Sequence, residues 1–381
     1  MSSSTSSSDA PRAGAPRDEA KRGARLFLGA MAGGVVLSAA IASVLPEAII
    51  HTPPEFGMAE ALEDHIQQAC ARKAAPELLI IGDSRAVAGI SVQTLRASGI
   101  DTEKFALGGA GVFAGWGVLD RLVDCGVRPK TVAMAYGAMH VLGEGSLMVR
   151  LANYDVFKGP RASHVYDMAS EWEDSLARQA IFKAVSLVGT ELSLTDVALM
   201  RPALRNVLAA PAHGAGNFVM NEKERVSFLA DGGDRFYGTA QGSSELPDEK
   251  LYGAKQQVPQ MNYRATEAVT ALGRKHGFNV LFYMLPLTET ASAKLPRGLL
   301  DTTAQFMGGL PAMGVTPMNR IWSLPDADFG DPSHVNARGR VRVTEDFRAR
   351  YAGLVGASGA GPGEADHAVS LPIQKIQQVG K

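Results

Sequence analysis

Cysteine is scarce in this sequence, with only Cys70 and Cys125 among 381 residues. No metal-type spacing links the two, so we predict neither a structural zinc site nor any other metal or cofactor. An excess of charge of one sign is also missing, because the formal net charge is -1. A near-neutral chain has no electrostatic reason to bind nucleic acid. Hydrophobic residues make up 46%, which is enough for a large core.

One long run without charge covers residues 26–45. About 20 apolar residues are what one helix needs to cross a bilayer. Basic residues precede the run and Glu47 follows it, so the positive-inside rule leaves residues 1–25 in the cytoplasm as a disordered tail. We therefore predict a single-pass anchor in the inner (cytoplasmic) membrane and an extracytoplasmic, periplasmic remainder. A cleaved signal peptide and a buried core helix are the alternatives.

After this run, apolar strands alternate with amphipathic helices. The candidate strands are 78–81, 131–136, 279–285 and a short one from Phe105, and the candidate helices include 57–75, 87–98 and 261–276. The alternation predicts an α/β fold with a central parallel sheet and helices on both faces. The predicted domain covers residues 57–355, with a long insertion of helices and loops at about 143–260. A flexible tail follows at 356–381.

The first candidate site residue is Ser84. An apolar run rises to Ile81 and breaks at Gly82-Asp83-Ser84-Arg85, which is how a buried parallel strand ends at a tight turn. Open α/β sheets build their sites at the carboxyl ends of such strands. A serine there can be a nucleophile if a base takes its proton. The alternative is that Asp83 and Ser84 only cap the following helix.

A base for this serine can come from Asp331-Pro-Ser-His334, near the other end of the chain. A carboxylate three residues before a histidine can reach the ring and fix its tautomer, which leaves the other ring nitrogen free to act as a base. The alternative reading of the same residues is a simple Asx-Pro turn.

Gly108 and Gly109 follow the second strand and form the third candidate. Glycine lets a backbone N–H approach a reacting carbonyl oxygen, as an oxyanion hole requires, although a plain strand-to-helix turn also uses glycine. Arg85 is a candidate for binding an anionic substrate group. Its alternative is an exposed, solvated side chain.

Together, Leu78-Leu-Ile-Ile-Gly-Asp-Ser-Arg85, Phe105-Ala-Leu-Gly-Gly109 and Asp331-Pro-Ser-His334 resemble the SGNH (GDSL) hydrolase superfamily. The three motifs stand in that superfamily's order. The resemblance implies a three-layer α/β/α, flavodoxin-like fold. It also implies Ser84 as nucleophile, His334 as base and Asp331 as its orienting carboxylate, with backbone N–H groups of Ser84 and Gly109 facing the oxyanion.

One motif of the superfamily is missing. Its members usually carry Gly-x-Asn-Asp after the third strand, where the asparagine amide completes the oxyanion hole. This chain reads Tyr136-Gly-Ala-Met-His140 instead. His140 is the candidate substitute, at an offset position. The missing donor argues against efficient plain hydrolysis, since one oxyanion donor contributes a few kcal/mol.

The anchor and the insertion resemble the layout of the alginate O-acetyltransferase and D-alanyl-lipoteichoic acid biosynthesis proteins. That resemblance implies an O-acyltransferase, with acetyl as the expected group, which passes an acyl group through Ser84 to a polysaccharide hydroxyl. A separate membrane-bound O-acyltransferase would supply the acyl donor. The alternatives are an SGNH esterase or deacetylase, and a non-catalytic glycan-binding scaffold.

An extracytoplasmic domain would expose Cys70 and Cys125 to an oxidising compartment, where a disulfide can form. Two unpaired cysteines are the alternative, because the sequence does not show whether their backbones come close.

Overall fold

Strands and helices alternate along the described part of the chain. The structure is a computed structural model that describes residues 56–142, 160–172, 176, 179–180, 183, 222–235, 242–244 and 257–358. The α-helices are α1 Phe56–Arg72, α2 Ser84–Gly89, α3 Val92–Ala97, α4 Val112–Asp124, α5 Ala138–Val141, α6 Pro160–Trp172, α7 Glu222–Ala230, α8 Gln260–His276, α9 Glu289–Lys294, α10 Arg297–Gly309 and α11 Ala337–Ser358. The strands are β1 Leu78–Gly82, β2 Thr102–Ala106, β3 Thr131–Tyr136, β4 Asn279–Met284, β5 Leu287–Thr288, β6 Thr316–Pro317 and β7 Ser323–Leu324.

Five strands form one parallel sheet in the order β2-β1-β3-β4-β6, and β5 pairs with β7 in a second, two-stranded sheet. The chain runs from β1 outward to β2 and then returns to the other side of β1 for β3. The strand order therefore reverses between β1 and β3, where open α/β sheets leave a crevice at their carboxyl ends. The predicted parallel sheet with flanking helices is confirmed.

The central strands are apolar because both of their faces are covered. Every residue of β1 and β3 is buried, and β4 is exposed only at Asn279. A strand buried on both faces reads as a continuous apolar run rather than an alternation. Rigid strands of this kind hold the loops at their carboxyl ends in fixed positions.

The predicted helix at 87–98 is two helices, α2 and α3, with a break at Ile90 and Ser91. The Ser91 hydroxyl accepts the N–H of Thr94, and the Ser91 N–H donates to the Thr344 hydroxyl at 3.0 Å. A serine that caps a new helix and is itself held from α11 stops the first helix. The apolar spacing alone did not indicate this break.

Cys70 and Cys125 form a disulfide, with their Cα atoms 5.4 Å apart. The bridge joins the last turn of α1 to the residue that follows α4. Of the two alternatives that the sequence left open, the structure has the bridged one.

Several predictions fall outside the described residues: the tail at 1–25, the anchor at 26–45, most of the insertion at 143–260 and residues 359–381 of the tail predicted at 356–381. Residues 356–358 of that tail belong to α11. Among the helices of the described part, none is both long enough and apolar enough to span a membrane.

Candidate active site

Ser84 lies directly after β1, at the reversal point of the sheet. Asp83 is the N-cap of α2 in extended conformation, and Ser84 is the first residue of that helix. The turn packs closely, because a Cβ added at Gly82 would meet the Cβ of Ala86 at 2.7 Å and overlap the backbone oxygen of Ala135. Glycine at this position lets β1 and β3 stay paired up to the turn. Ser84 itself is 6% exposed.

A chain of two hydrogen bonds links Ser84, His334 and Asp331. The Nε2 atom of His334 lies 2.8 Å from the Ser84 Oγ, and its Nδ1 atom lies 2.7 Å from the Asp331 Oδ2. An ionised carboxylate can only accept hydrogen bonds, so Nδ1–H donates to Asp331. The neutral ring then has its lone pair on Nε2, which accepts the hydroxyl proton of Ser84. Ser84 and His334 are 250 positions apart in the sequence, and the fold brings them into contact.

The loop of Asp331 holds this arrangement in place. Asp331 Oδ1 accepts the backbone N–H groups of Ser333 and His334, both at 2.7 Å. Burial raises the pKa of Asp331, but the hydrogen bond and charge of His334 and these two N–H groups outweigh it. The pKa therefore lies below its usual value, and the carboxylate is ionised at neutral pH. The Asx-turn alternative and the orienting role thus describe the same carboxylate.

The end of the loop is fixed by Asn336. Its Oδ1 accepts the N–H groups of Arg338 and Gly339, both at 3.1 Å, and its Nδ2 donates to the Ala327 carbonyl at 2.8 Å. Asn336 thus caps α11 and ties the loop of His334 to the start of a long helix.

The glycine-rich loop after β2 lies at the same edge of the sheet. Gly109 has φ 69°, in the left-handed region that glycine adopts without a steric penalty. The backbone N–H groups of Ser84, Gly108 and Gly109 donate no hydrogen bond to any residue that the structure describes. Unpaired backbone donors at a strand end are what an oxyanion site requires.

Asp83 and His140 form a second carboxylate–imidazole pair beside the first. The Nδ1 atom of His140 lies 2.7 Å from the Asp83 Oδ2, which also accepts the N–H of Gly137 at 2.8 Å. Burial raises the pKa of Asp83, but the charge and hydrogen bond of His140, the charge of Arg85 and the N–H of Gly137 lower it to about 2. The ionised Asp83 and the ring of His140 are therefore in direct contact.

Neither Asp83 nor Asn262 was predicted as a site residue. The sequence interpretation gave Asp83 only a capping role, which it has through Oδ1, while its second oxygen bridges to the end of β3. Asn262 on α8 donates to the carbonyls of His140 at 3.4 Å and Val141 at 2.6 Å, and so holds α5 in place. A histidine three residues after the glycine that ends a buried strand was the available signal for the second pair. Asn262 had no such signal.

Arg85 differs from the solvated alternative. Only 5% of the residue is exposed, and its guanidinium packs over Gly137. The structure places all seven predicted site residues in two kinds of position. Five lie in the loops or short helices that follow β1, β2 and β3, and Asp331 and His334 lie in the loop before α11.

No group of three or more metal-binding side chains occurs within the described ranges. No protein-family model matches the sequence, and the comparison with curated proteins returns no match.

Proposed function

We propose that this chain is an SGNH-type serine acyltransferase that acetylates hydroxyl groups of a cell-surface or secreted polysaccharide. The observation that carries the proposal is the hydrogen-bonded order Ser84 Oγ, His334 Nε2, His334 Nδ1, Asp331 Oδ2. An alcohol becomes a nucleophile when a base of fixed orientation lies within hydrogen-bond distance, and this arrangement supplies both.

The sheet supports the same assignment. Its order β2-β1-β3-β4-β6 follows the flavodoxin-like pattern, in which ligands bind at the reversal between the first and third strands. The proposed three-layer α/β/α architecture of the SGNH superfamily has this order. Ser84 follows the first strand and His140 lies just beyond the third, so both flank that crevice.

In the first half-reaction, Ser84 Oγ attacks the carbonyl carbon of the acyl donor while its proton passes to His334 Nε2. The carbonyl oxygen becomes an oxyanion that accepts hydrogen bonds from the backbone N–H groups of Ser84 and Gly109, and Gly108 lies beside them. The intermediate then collapses, and the leaving group takes the proton from His334. Asp331 stabilises the imidazolium that forms between the two proton transfers.

In the second half-reaction, a sugar hydroxyl replaces the leaving group. His334 Nε2 removes its proton as the hydroxyl oxygen attacks the acyl-serine carbonyl. Collapse of this second intermediate breaks the bond to Ser84 Oγ, which takes the proton back from His334. The acetyl group now forms an ester with the sugar, and the enzyme returns to its starting state.

His140 is the proposed third oxyanion donor, in place of the asparagine of the superfamily. The Asp83 carboxylate lies 2.7 Å from the Nδ1 atom of this ring, and Nε2 is the atom proposed to face the oxyanion. A donor that depends on a buried carboxylate distinguishes this site from one with an asparagine amide.

Several features support an extracytoplasmic location. The Cys70–Cys125 disulfide is typical of oxidising compartments. The uncharged run at 26–45, with its basic flank, has the composition of a membrane anchor. We assign the acyl donor to a separate membrane-bound O-acyltransferase.

A fluorophosphonate probe tests the nucleophile. The full-length chain, purified in detergent, should be labelled at Ser84, and neither Ser84→Ala nor His334→Ala should be labelled at a comparable rate. Labelling of Ser84→Ala at the rate of the unchanged chain would remove the enzyme proposal and favour the glycan-binding scaffold.

A second experiment separates transfer from hydrolysis, which share the acyl-enzyme. The chain is given an activated acetyl ester with and without an oligosaccharide acceptor. Acetylated sugar supports the transferase. Free acetate alone, at the same rate with every acceptor, supports the esterase.

A further inference from the structure

Arg85 and Lys104 are two buried cations that the fold treats differently. The Lys104 ammonium is fully buried and has four partners: the carbonyls of Ala86, Val87 and Ile90 and the carboxylate of Asp234. Arg85 is 5% exposed, yet its Nε and Nη1 atoms are buried without a hydrogen-bond partner among the described residues. Lys104 thus has hydrogen-bond partners inside the protein, whereas two nitrogen atoms of Arg85 have none among the described residues.

The nearest carboxylate cannot serve Arg85. Asp83 accepts the backbone N–H groups of Arg85 and Ala86 on one oxygen and the N–H of Gly137 on the other, and this second oxygen also lies 2.7 Å from His140 Nδ1. Four contacts occupy the acceptor positions of a carboxylate. The guanidinium lies close enough to lower the pKa of Asp83 through its charge, but it donates no hydrogen bond to it.

Space for this guanidinium depends on Gly137. A Cβ added at Gly137 would lie 2.8 Å from the Arg85 Cζ and would overlap Nη1 as well. The side chain therefore lies over the end of β3, while Ser84, the preceding residue, faces His334. The unpartnered donors thus lie beside Gly137, the residue that follows β3, and belong to the residue next to the proposed nucleophile in the sequence.

A buried, unpaired charge is costly, because it has lost water and gained no partner. The planar guanidinium offers donors in a fork that matches a carboxylate or a phosphate with two parallel hydrogen bonds. We infer that Arg85 binds an anionic group, carboxylate or phosphate, of the substrate whose hydroxyl is acylated at Ser84. This inference rests on the proposed function for the identity of the substrate as an acceptor.

Binding is tested in full-length chain that carries Ser84→Ala, so the result does not depend on catalysis. Three oligosaccharides of equal length are compared by calorimetry: one with carboxylates, one with phosphates and one neutral. Arg85→Met should weaken binding of the anionic ligand by about 10- to 100-fold, as loss of charge-assisted hydrogen bonds does. Arg85→Lys keeps the charge but loses the fork, so we expect an intermediate loss.

Arg274→Met is the matched control, because it removes the same charge from an exposed position near the end of α8, at the opposite edge of the sheet. It should leave binding of all three ligands unchanged. The anionic ligand that binds more tightly identifies the group as carboxylate or phosphate. Melting temperatures show whether each variant folds, and if Arg85→Met does not, the decision rests on Arg85→Lys.

The inference is overturned if neither anionic oligosaccharide binds more tightly than the neutral one, or if the Arg85 variants bind it as well as the Arg274→Met control does. Failure of Ser84 to react with the fluorophosphonate probe would instead overturn the proposed chemistry. The anion site would still be decided by these binding affinities alone.

Discussion

Two carboxylate–imidazole pairs lie at the carboxyl edge of this sheet, and they differ in what the outer nitrogen of the ring contacts. In the Asp331–His334 pair, Nε2 lies 2.8 Å from the Ser84 Oγ. In the Asp83–His140 pair, Nδ1 lies 2.7 Å from the carboxylate, and Nε2 makes no hydrogen bond with a described residue. The first pair therefore has a ring nitrogen within hydrogen-bond distance of a serine hydroxyl. In the second pair, the Nε2 atom of His140 is available to a ligand that binds beside it.

The carboxylates differ as well. Asp83 is completely buried and bridges β1 to the start of α5, whereas Asp331 lies on a loop and its side chain is 23% exposed. Loss of Asp83 should therefore damage the fold, while loss of Asp331 should damage the orientation of one ring. Similar residue pairs have different roles because one is built into the sheet and the other lies at its rim.

The largest expected effect separates the two histidines. His334→Ala should lower kcat/KM for an activated acetyl ester by about 10⁴-fold, because the nucleophile loses its base. His140→Ala should lower it by about 10²- to 10³-fold, the effect of losing one oxyanion donor. Hydrolysis of p-nitrophenyl acetate measures both. An equal or larger loss of kcat/KM from His140→Ala would contradict the assignment of His334 as the base.

The two aspartates should separate activity from stability. Asp331→Asn should lower kcat by about 10²- to 10⁴-fold through the wrong ring tautomer, with little change in the free energy of unfolding. Asp83→Asn should lower the free energy of unfolding by about 3 kcal/mol, because a buried network loses its charge. Urea unfolding of both variants measures the difference. Equal destabilisation by the two substitutions would contradict the conclusion that Asp83 supports the fold while Asp331 only orients a ring.

The depressed pKa of Asp83 predicts that the free energy of unfolding decreases at low pH. The pKa of Asp83 is depressed to about 2 from its ordinary value of 3.8. Its stabilisation is therefore complete above the unfolded value and is lost as pH falls through about 2. The loss is about 2 kcal/mol at 1.4 kcal/mol per unit of pKa. Unfolding curves between pH 5 and pH 2 should show this loss in the unchanged chain and a smaller one in Asp83→Asn.

The smallest expected effect concerns Asn262, which holds the helix of His140. Asn262→Ala should lower kcat/KM by about tenfold, since α5 loses one anchor. Combined with His140→Ala, it should add almost nothing, because both substitutions remove the same donor. A double variant whose losses multiply would show that Asn262 acts on something other than His140.

The sequence was sufficient to predict the parallel sheet and the first pair. Continuous apolar runs identify strands buried on both faces, and Asp331 and His334 are three residues apart, close enough to bond locally. The position of Ser84 also follows from the rule that open α/β sheets build their sites at the carboxyl ends of their strands.

The second pair could not be predicted in the same way. Asp83 contacts His140 and Gly137 across the sheet, 57 and 54 positions away, through one oxygen while the other caps α2. A capping motif in the sequence reports only the local bond. The burial of Arg85 depends on packing over Gly137, and the edge strand β6 is only two residues long, so neither has a pattern that a sequence can display.

The most direct measurement is the site of acylation itself. Full-length chain is mixed with an activated acetyl ester, quenched in acid within the first turnover, digested and analysed by mass spectrometry. We expect one acetyl group on the peptide that contains Ser84. It should be absent from Ser84→Ala and removed when an oligosaccharide acceptor is added before the quench. An acetyl group on another residue, or none on Ser84 while the ester is consumed, would contradict this expectation.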